Sequence, residues 1–104
     1  MKYIKKYESI NNEPQIGDYV LCREINANNI QVIQWTAVNI GKYIDFNDLD
    51  YNYPYLIRYK NVPNDIRSYF FHNDVPSCRT MKRDEIILWS SNKEDLENII
   101  KFNI

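Results

Sequence analysis

Ile16-Gly17-Asp18-Tyr19-Val20 and Ile40-Gly41-Lys42-Tyr43-Ile44 are two versions of one phrase, and between them they hold both glycines of the chain. In each, a glycine precedes residues of alternating polarity, the pattern of a half-buried strand entered through a glycine. Glycine at a strand entrance lets the backbone bend or approach a neighbour closely. The segments that follow the two phrases differ, so they read as two strand entrances of one small β structure, not as a repeat. In the first strand, over residues 17–24, Tyr19 and Leu21 fall on one face and Asp18, Val20 and Cys22 on the other. The second strand covers residues 40–46.

Outward from these phrases the pattern continues. Residues 54–60 alternate as a third strand, with Tyr55, Ile57 and Tyr59 on one face and Leu56 and Arg58 on the other. Residues 64–72 suggest a short helical turn capped by Asn64 that brings Phe70 and Phe71 to the core. Residues 78–90 read as one long strand or two short ones. Between the first two strands, Ile30, Ile33 and Ala37 have helical spacing, but the β-branched content also allows a strand. A long loop with a short helical turn is expected there. With so few glycines, asparagine supplies the turns, because it tolerates left-handed backbone and bonds to its own main chain. Asn-rich stretches at 26–29, 47–48, 61–65 and 73–74 therefore mark loops.

The C-terminal part is the most strongly specified. Ser91 and Glu94 have the S-x-x-E spacing of a capping box. Leu96, Ile99 and Ile100 form an apolar stripe, and Glu97 stands four residues before Lys101. A helix over about 92–101 follows. The fold class expected from the whole is mainly β: a small antiparallel barrel of about five strands, with a long loop after the first strand and a C-terminal α-helix. At 104 residues the expectation is a single domain over 1–104, and the 44% apolar content is enough for its core.

The order G-D-Y-V (17–20), I-G-K-Y-I (40–44), Y-L-I-R-Y (55–59) and D-E-I-I-L-W (84–89), followed by the helix segment of residues 90–97, resembles small SH3-like β-barrels. It is similar in particular to uncharacterised proteins of AT-rich phages, giant viruses and related metagenomic sequences. An AT-rich source also fits the dominance of Asn, Ile, Lys and Tyr. The resemblance covers about residues 14–101 and implies an SH3-like fold. It implies no particular activity, since members of that class bind peptides, nucleic acid or methylated residues.

Net charge is −1, so no global field draws the chain to nucleic acid or anionic lipid. No run approaches the roughly 18–20 apolar residues of a membrane span, and no apolar segment follows the basic N-terminus. A cytoplasmic protein is expected, in the host cytoplasm if viral. Cys22 and Cys78 read as reduced, buried residues.

Four constellations are candidates for function. Trp35, Tyr51, Tyr53, Tyr55 and Tyr59, near Asp48 and Asp50, could line an aromatic surface for a cation or a proline-rich peptide. Alternating tyrosines also serve as half-buried sheet wall. Arg58, Arg79, Lys82 and Arg83, with Arg67 and aromatics 69–71, could form a nucleic-acid patch, against which stand the neutral net charge and the adjacent Asp84 and Glu85. His72, Asp74 and Cys78 could make a thiolate–imidazole pair. Asp48-x-Asp50-x-Asn52 opens like a calcium loop, but Tyr53 and Tyr59 stand where such a loop needs glycine and glutamate. No nucleotide-binding or hydrolase motif is present, and neither a metal nor another cofactor is expected. The reading that follows is a non-enzymatic protein-interaction module, phage or virus encoded, docking a protein partner through the tyrosine surface or an open barrel edge, and in its sharper form inhibiting a host defence protein. Nucleic-acid binding through residues 79–83 is the alternative.

Overall fold

The computed structural model describes residues 13–25 and 27–103. The N-terminal segment over 1–15, whose Tyr3, Ile4, Tyr7 and Ile10 read equally as a helical stripe or a loose strand, lies outside them up to residue 12. The elements run β1 (Tyr19–Cys22), α1 (Ile30–Val38), β2 (Gly41–Phe46), β3 (Tyr55–Arg58), a 3-10 turn (Arg67–Tyr69), β4 (Phe71–His72), β5 (Val75–Pro76), β6 (Cys78–Met81), a second 3-10 turn (Arg83–Glu85), β7 (Ile86–Ser90) and α2 (Lys93–Asn103). Five strands form one antiparallel sheet in the order β6-β3-β2-β1-β7, and β4 and β5 form a separate two-stranded sheet. The expected closed barrel is not formed: β6 and β7 are the two ends of the order.

The two glycine phrases are each other's antiparallel partners. Tyr19 pairs with Lys42 and Val20 with Gly41. Gly17 N–H donates to Tyr43 O at 2.7 Å, and Tyr43 N–H donates to Asp18 O at 2.9 Å. The glycines serve different needs. Gly17 has φ +102°, a conformation L side chains rarely adopt. Gly41 is needed for room: a Cβ there would collide with Ile57 Cγ2 and stand 2.9 Å from Tyr59 Cε1.

Alternation on these strands divides the core in two. Val20, Cys22, Tyr43, Ile57, Tyr59 and Met81 point inward to the main cluster, which Val32, Phe70 and Trp89 complete. Leu21 and Leu88 point to the outer face, where Leu96 and Ile99 of α2 cover them. The faces of β1 and the stripe of α2 are as the sequence indicates. Each such side chain, fully buried, contributes about 1.5–3 kcal/mol, so α2 is held chiefly by this second cluster.

Several local expectations are corrected. The loop after β1 contains a nine-residue helix. Asn29 Oδ1 caps it by accepting from Gln31 N–H at 2.8 Å and Val32 N–H. Its buried face is Val32 and Thr36 with Trp35 half-buried, whereas Ile30 is exposed, so the expected Ile30–Ile33–Ala37 stripe is out of phase. Phe70 is fully buried, but Phe71 is 58% exposed because a β-strand sends successive side chains to opposite sides. The turn before it starts at Ile66 with no side-chain cap, not at Asn64. At α2, Asn92 takes the capping role expected of Ser91, its Oδ1 accepting from Glu94 N–H at 3.1 Å. Asparagine does supply left-handed turns: Asn61 has φ 59°, and Asn73 and Asp74, at φ 47° and 66°, make the two-residue connection between β4 and β5.

Candidate functional site

The five aromatics expected to share one surface lie in different environments. Tyr59 is only 1% exposed and stacks edge-on with Trp35 (5.4 Å between centroids) and Phe70 (5.6 Å). Trp35 and Phe70 are themselves 5.4 Å apart, closing a triangle of edge-to-face rings inside the core. Tyr59 and Trp35 are therefore packing residues, which corrects their assignment to a docking surface. The Tyr59 hydroxyl is buried without a partner of good hydrogen-bond geometry, and the Cys22 thiol lies beside it. Burial pushes Tyr59 well above its ordinary range and Cys22 up to about 12.

The remaining tyrosines sit at the far end of the β2–β3 hairpin. Phe46 and Tyr55 are directly opposed in the β2–β3 register, and their rings meet at 5.1 Å, nearly perpendicular. Tyr55 also leans on Tyr43 at 5.2 Å. Burial, with Glu13 adding to it, raises the Tyr55 hydroxyl above its ordinary value. Tyr51, on the loop between the strands, is 95% exposed. The loop is held by its own polar side chains: Asp50 Oδ1 accepts from Asn52 N–H at 3.1 Å and Tyr53 N–H at 2.9 Å, and Asn47 Oδ1 accepts from Leu49 N–H. Asp50 thus does a turn's work, and among the described residues no cluster suited to a metal ion occurs.

Phe46, Tyr51, Pro54 and Tyr55 face the 3-10 turn of residues 83–85 across an open cleft of about 350 Å³, with Lys82 and Arg83 on its opposite rim. Lys82 Nζ stands over the Tyr53 ring at 5.3 Å, and the Arg83 guanidinium over the Trp89 ring at 4.5 Å. The structure brings together Tyr51 and Tyr55, adds Phe46 and Pro54, which sequence reasoning missed, and draws in Lys82 and Arg83 from the other candidate set. Phe46 was within reach of the sequence: a hairpin closing over 47–54 must set residue 46 opposite residue 55.

The expected basic patch is not one surface. Arg79 forms a two-pronged ion pair with the buried Glu24, Nε donating to Oε2 at 2.7 Å and Nη2 to Oε1. Its Nη1 donates to Tyr69 O at 2.7 Å. Arg83 Nε pairs with Glu13 at 2.7 Å, and its Nη1 donates to Ile86 O. Arg79 is committed to the buried Glu24 and Arg83 to Glu13 at the surface, while Arg58 lies on the other face of the sheet, opposite Lys42 and Cys78. Glu85, adjacent to the patch, is also internal. Its two carboxylate oxygens accept from Lys82 N–H at 2.8 Å and Ile25 N–H at 2.9 Å.

Cys78 is buried and its thiol raised by desolvation, with Arg58 opposing that shift, so its thiolate is disfavoured. His72 Nε2 contacts Asn73 Nδ2 at 3.1 Å. Cys22 and Cys78 are both free and buried, as expected. Among the described residues no helix is long and apolar enough to cross a membrane. No protein-family model, curated protein or solved structure matched the chain.

Proposed function

We propose that the chain is a non-enzymatic protein-interaction module that docks an extended, proline-containing segment of a partner in the cleft between the β2–β3 loop and the second 3-10 turn. The observation that carries this reading is the Phe46–Tyr55 wall with Tyr51 beside it: two rings in edge contact and a third that is 95% exposed. Adjacent aromatic faces at an open cleft accept the ridged surface of a polyproline-type helix, which is preordered and loses little entropy on binding. Lys82, on the rim beside Asp84, would favour an acidic residue at one flank of the segment.

A finer reading of the fold supports the same site. Numbering only the strands of the main sheet, their order is 4-3-2-1-5, with a 3-10 turn before the last. That arrangement is consistent with an open variant of the SH3-like class, to which the resemblance pointed. The sharper idea of a phage protein that inhibits host defence rests on the resemblance and on the Asn-, Ile-, Lys- and Tyr-rich composition, and it makes host defence proteins the partner class to try first.

The test is an NMR titration with a panel of proline-rich peptides carrying an acidic residue at one flank. Amide shifts centred on Phe46, Tyr51 and Tyr55 are expected, with binding weakened at least tenfold in Tyr51→Ala and Phe46→Ala. Shifts confined to other surfaces, or none across the panel, would discard the reading.

A further inference from the structure

The outer face of the sheet has a region that α2 does not cover. Over β1 and β7 the helix buries Leu21 and Leu88. Beyond them, on β2 and β3, the same face carries Lys42 and Arg58, directly opposed in register, with Tyr19 next in the row. Lys60 follows just past β3, before the left-handed turn at Asn61. Lys93 and Lys101 approach from α2, eight residues apart and hence on one helix face. Together they line two adjoining clefts of about 360 and 270 Å³, which share Ile40, Lys60 and Lys93.

The charge balance here differs from that of the whole chain. Five cations line these clefts against the single carboxylate of Glu97, in a protein of net charge −1. Among the described residues the ion pairs are those of Arg79 and Arg83, and none of the five cleft cations makes one. Asp95, on the first turn of α2, is occupied by Ser90 Oγ at 2.8 Å. Like charges directly opposed across two strands destabilise a sheet. A Lys42–Arg58 pair without an intervening acid is thus a cost to folding that an anionic ligand would relieve.

We propose that this cleft binds single-stranded nucleic acid through its phosphates. The cations are spread over two connected clefts, which suits an extended polyanion better than one phosphate group. Four of the five are lysines, point charges that follow a phosphodiester backbone without demanding the paired fork geometry of a carboxylate. Tyr19 is half-buried in the same row with Lys42 Nζ over its ring, 5.5 Å from the centre, so a phosphate that draws Lys42 outward would uncover an aromatic ring for a base. The site lies on different residues from the peptide cleft and does not depend on it.

Fluorescence anisotropy with a labelled oligothymidylate tests this. If about four phosphates are neutralised, affinity falls about 50-fold between 50 and 200 mM salt. The Lys42→Gln/Lys60→Gln double variant should bind about tenfold or more weakly at the lower salt, with a log–log salt slope shallower by about 1.4. Its thermal midpoint should equal or exceed that of the parent, which separates lost binding from lost folding. Arg23→Gln, which removes one charge from an exposed side chain elsewhere, should retain most of the affinity. Three results overturn the proposal. These are no binding at 50 mM salt, an equal loss in Arg23→Gln, or displacement of the oligonucleotide by polyglutamate at matched charge, which would make the ligand an acidic polypeptide.

Discussion

Arg58 and Arg79 stand on neighbouring strands, yet they differ in every respect that matters. Arg79 shares a row with Ile57 on the inner side of the sheet, and its guanidinium closes on Glu24 and a main-chain carbonyl. Arg58 is opposite Lys42 on the outer side, exposed, with no ion pair among the described residues. Inside, each charge has been matched by the fold. Outside, the fold leaves a row of like charges unmatched. Matched charges report on stability, and unmatched ones on what the protein meets in solution.

Substitutions can break or sharpen this contrast. The largest effect is expected for Arg79→Ala, which strands the buried Glu24 carboxylate and should cost about 3 kcal/mol in denaturant unfolding. A loss below about 1 kcal/mol would mean that the pair is no more than a surface bridge. Gly41→Ala drives a methyl group into Ile57 and Tyr59 and should cost about 2 kcal/mol, measured the same way.

The inner face should also be sensitive to alkali. Cys22 is raised from 9.0 to about 12, so the folded state holds its proton more tightly than the unfolded chain. Its contribution is therefore complete below pH 9 and is lost as pH rises toward 12, at about 1.4 kcal/mol per pH unit. Buried Tyr59 adds a loss of the same sign. Unfolding free energies measured from pH 8 to pH 11 should show the decline, and Cys22→Val should flatten it. An unchanged slope in that variant would assign the effect to the tyrosines.

On the outer face the sign reverses. Lys42→Gln removes a like-charge opposition and should stabilise by about 0.5 kcal/mol at low salt, with the gain fading as salt is added. A destabilised Lys42→Gln would show that the cation row is matched after all. Smallest of all, Tyr51→Ala should leave stability within about 0.5 kcal/mol, as expected where a side chain touches little.

What could be read in advance followed local rules. The glycine entrances, the two faces of β1 and β3, the apolar stripe of α2 and the asparagine turns are all set by residues close in sequence. Helix α1 was missed because its covered face is built on Val32, Trp35 and Thr36, and Thr36 is buried by donating its hydroxyl to Val32 O at 2.9 Å. A polar residue in that role is invisible to hydrophobic periodicity. Arg79 to Arg83 looked like a surface patch because its partner Glu24 lies 55 residues away. The reverse held for Lys42, Arg58, Lys60, Lys93 and Lys101. Nothing in their spacing gathers them, and only the antiparallel register and the docking of α2 do so. The tyrosines were separated by the same logic: Tyr55 and Tyr59 alternate correctly along their strand, but only tertiary packing shows that one lines a cleft and the other a core.

The two glycines of the strand entrances ask for different things from the genetic code. Gly17 needs a handedness, with open space around it. A D-alanine introduced there by chemical synthesis should be accepted, and should even help by restricting the unfolded chain. Gly41 needs an absence of volume, which no residue of the standard set other than glycine can supply. In a saturation library the first position should admit an occasional asparagine, while the second should return glycine alone.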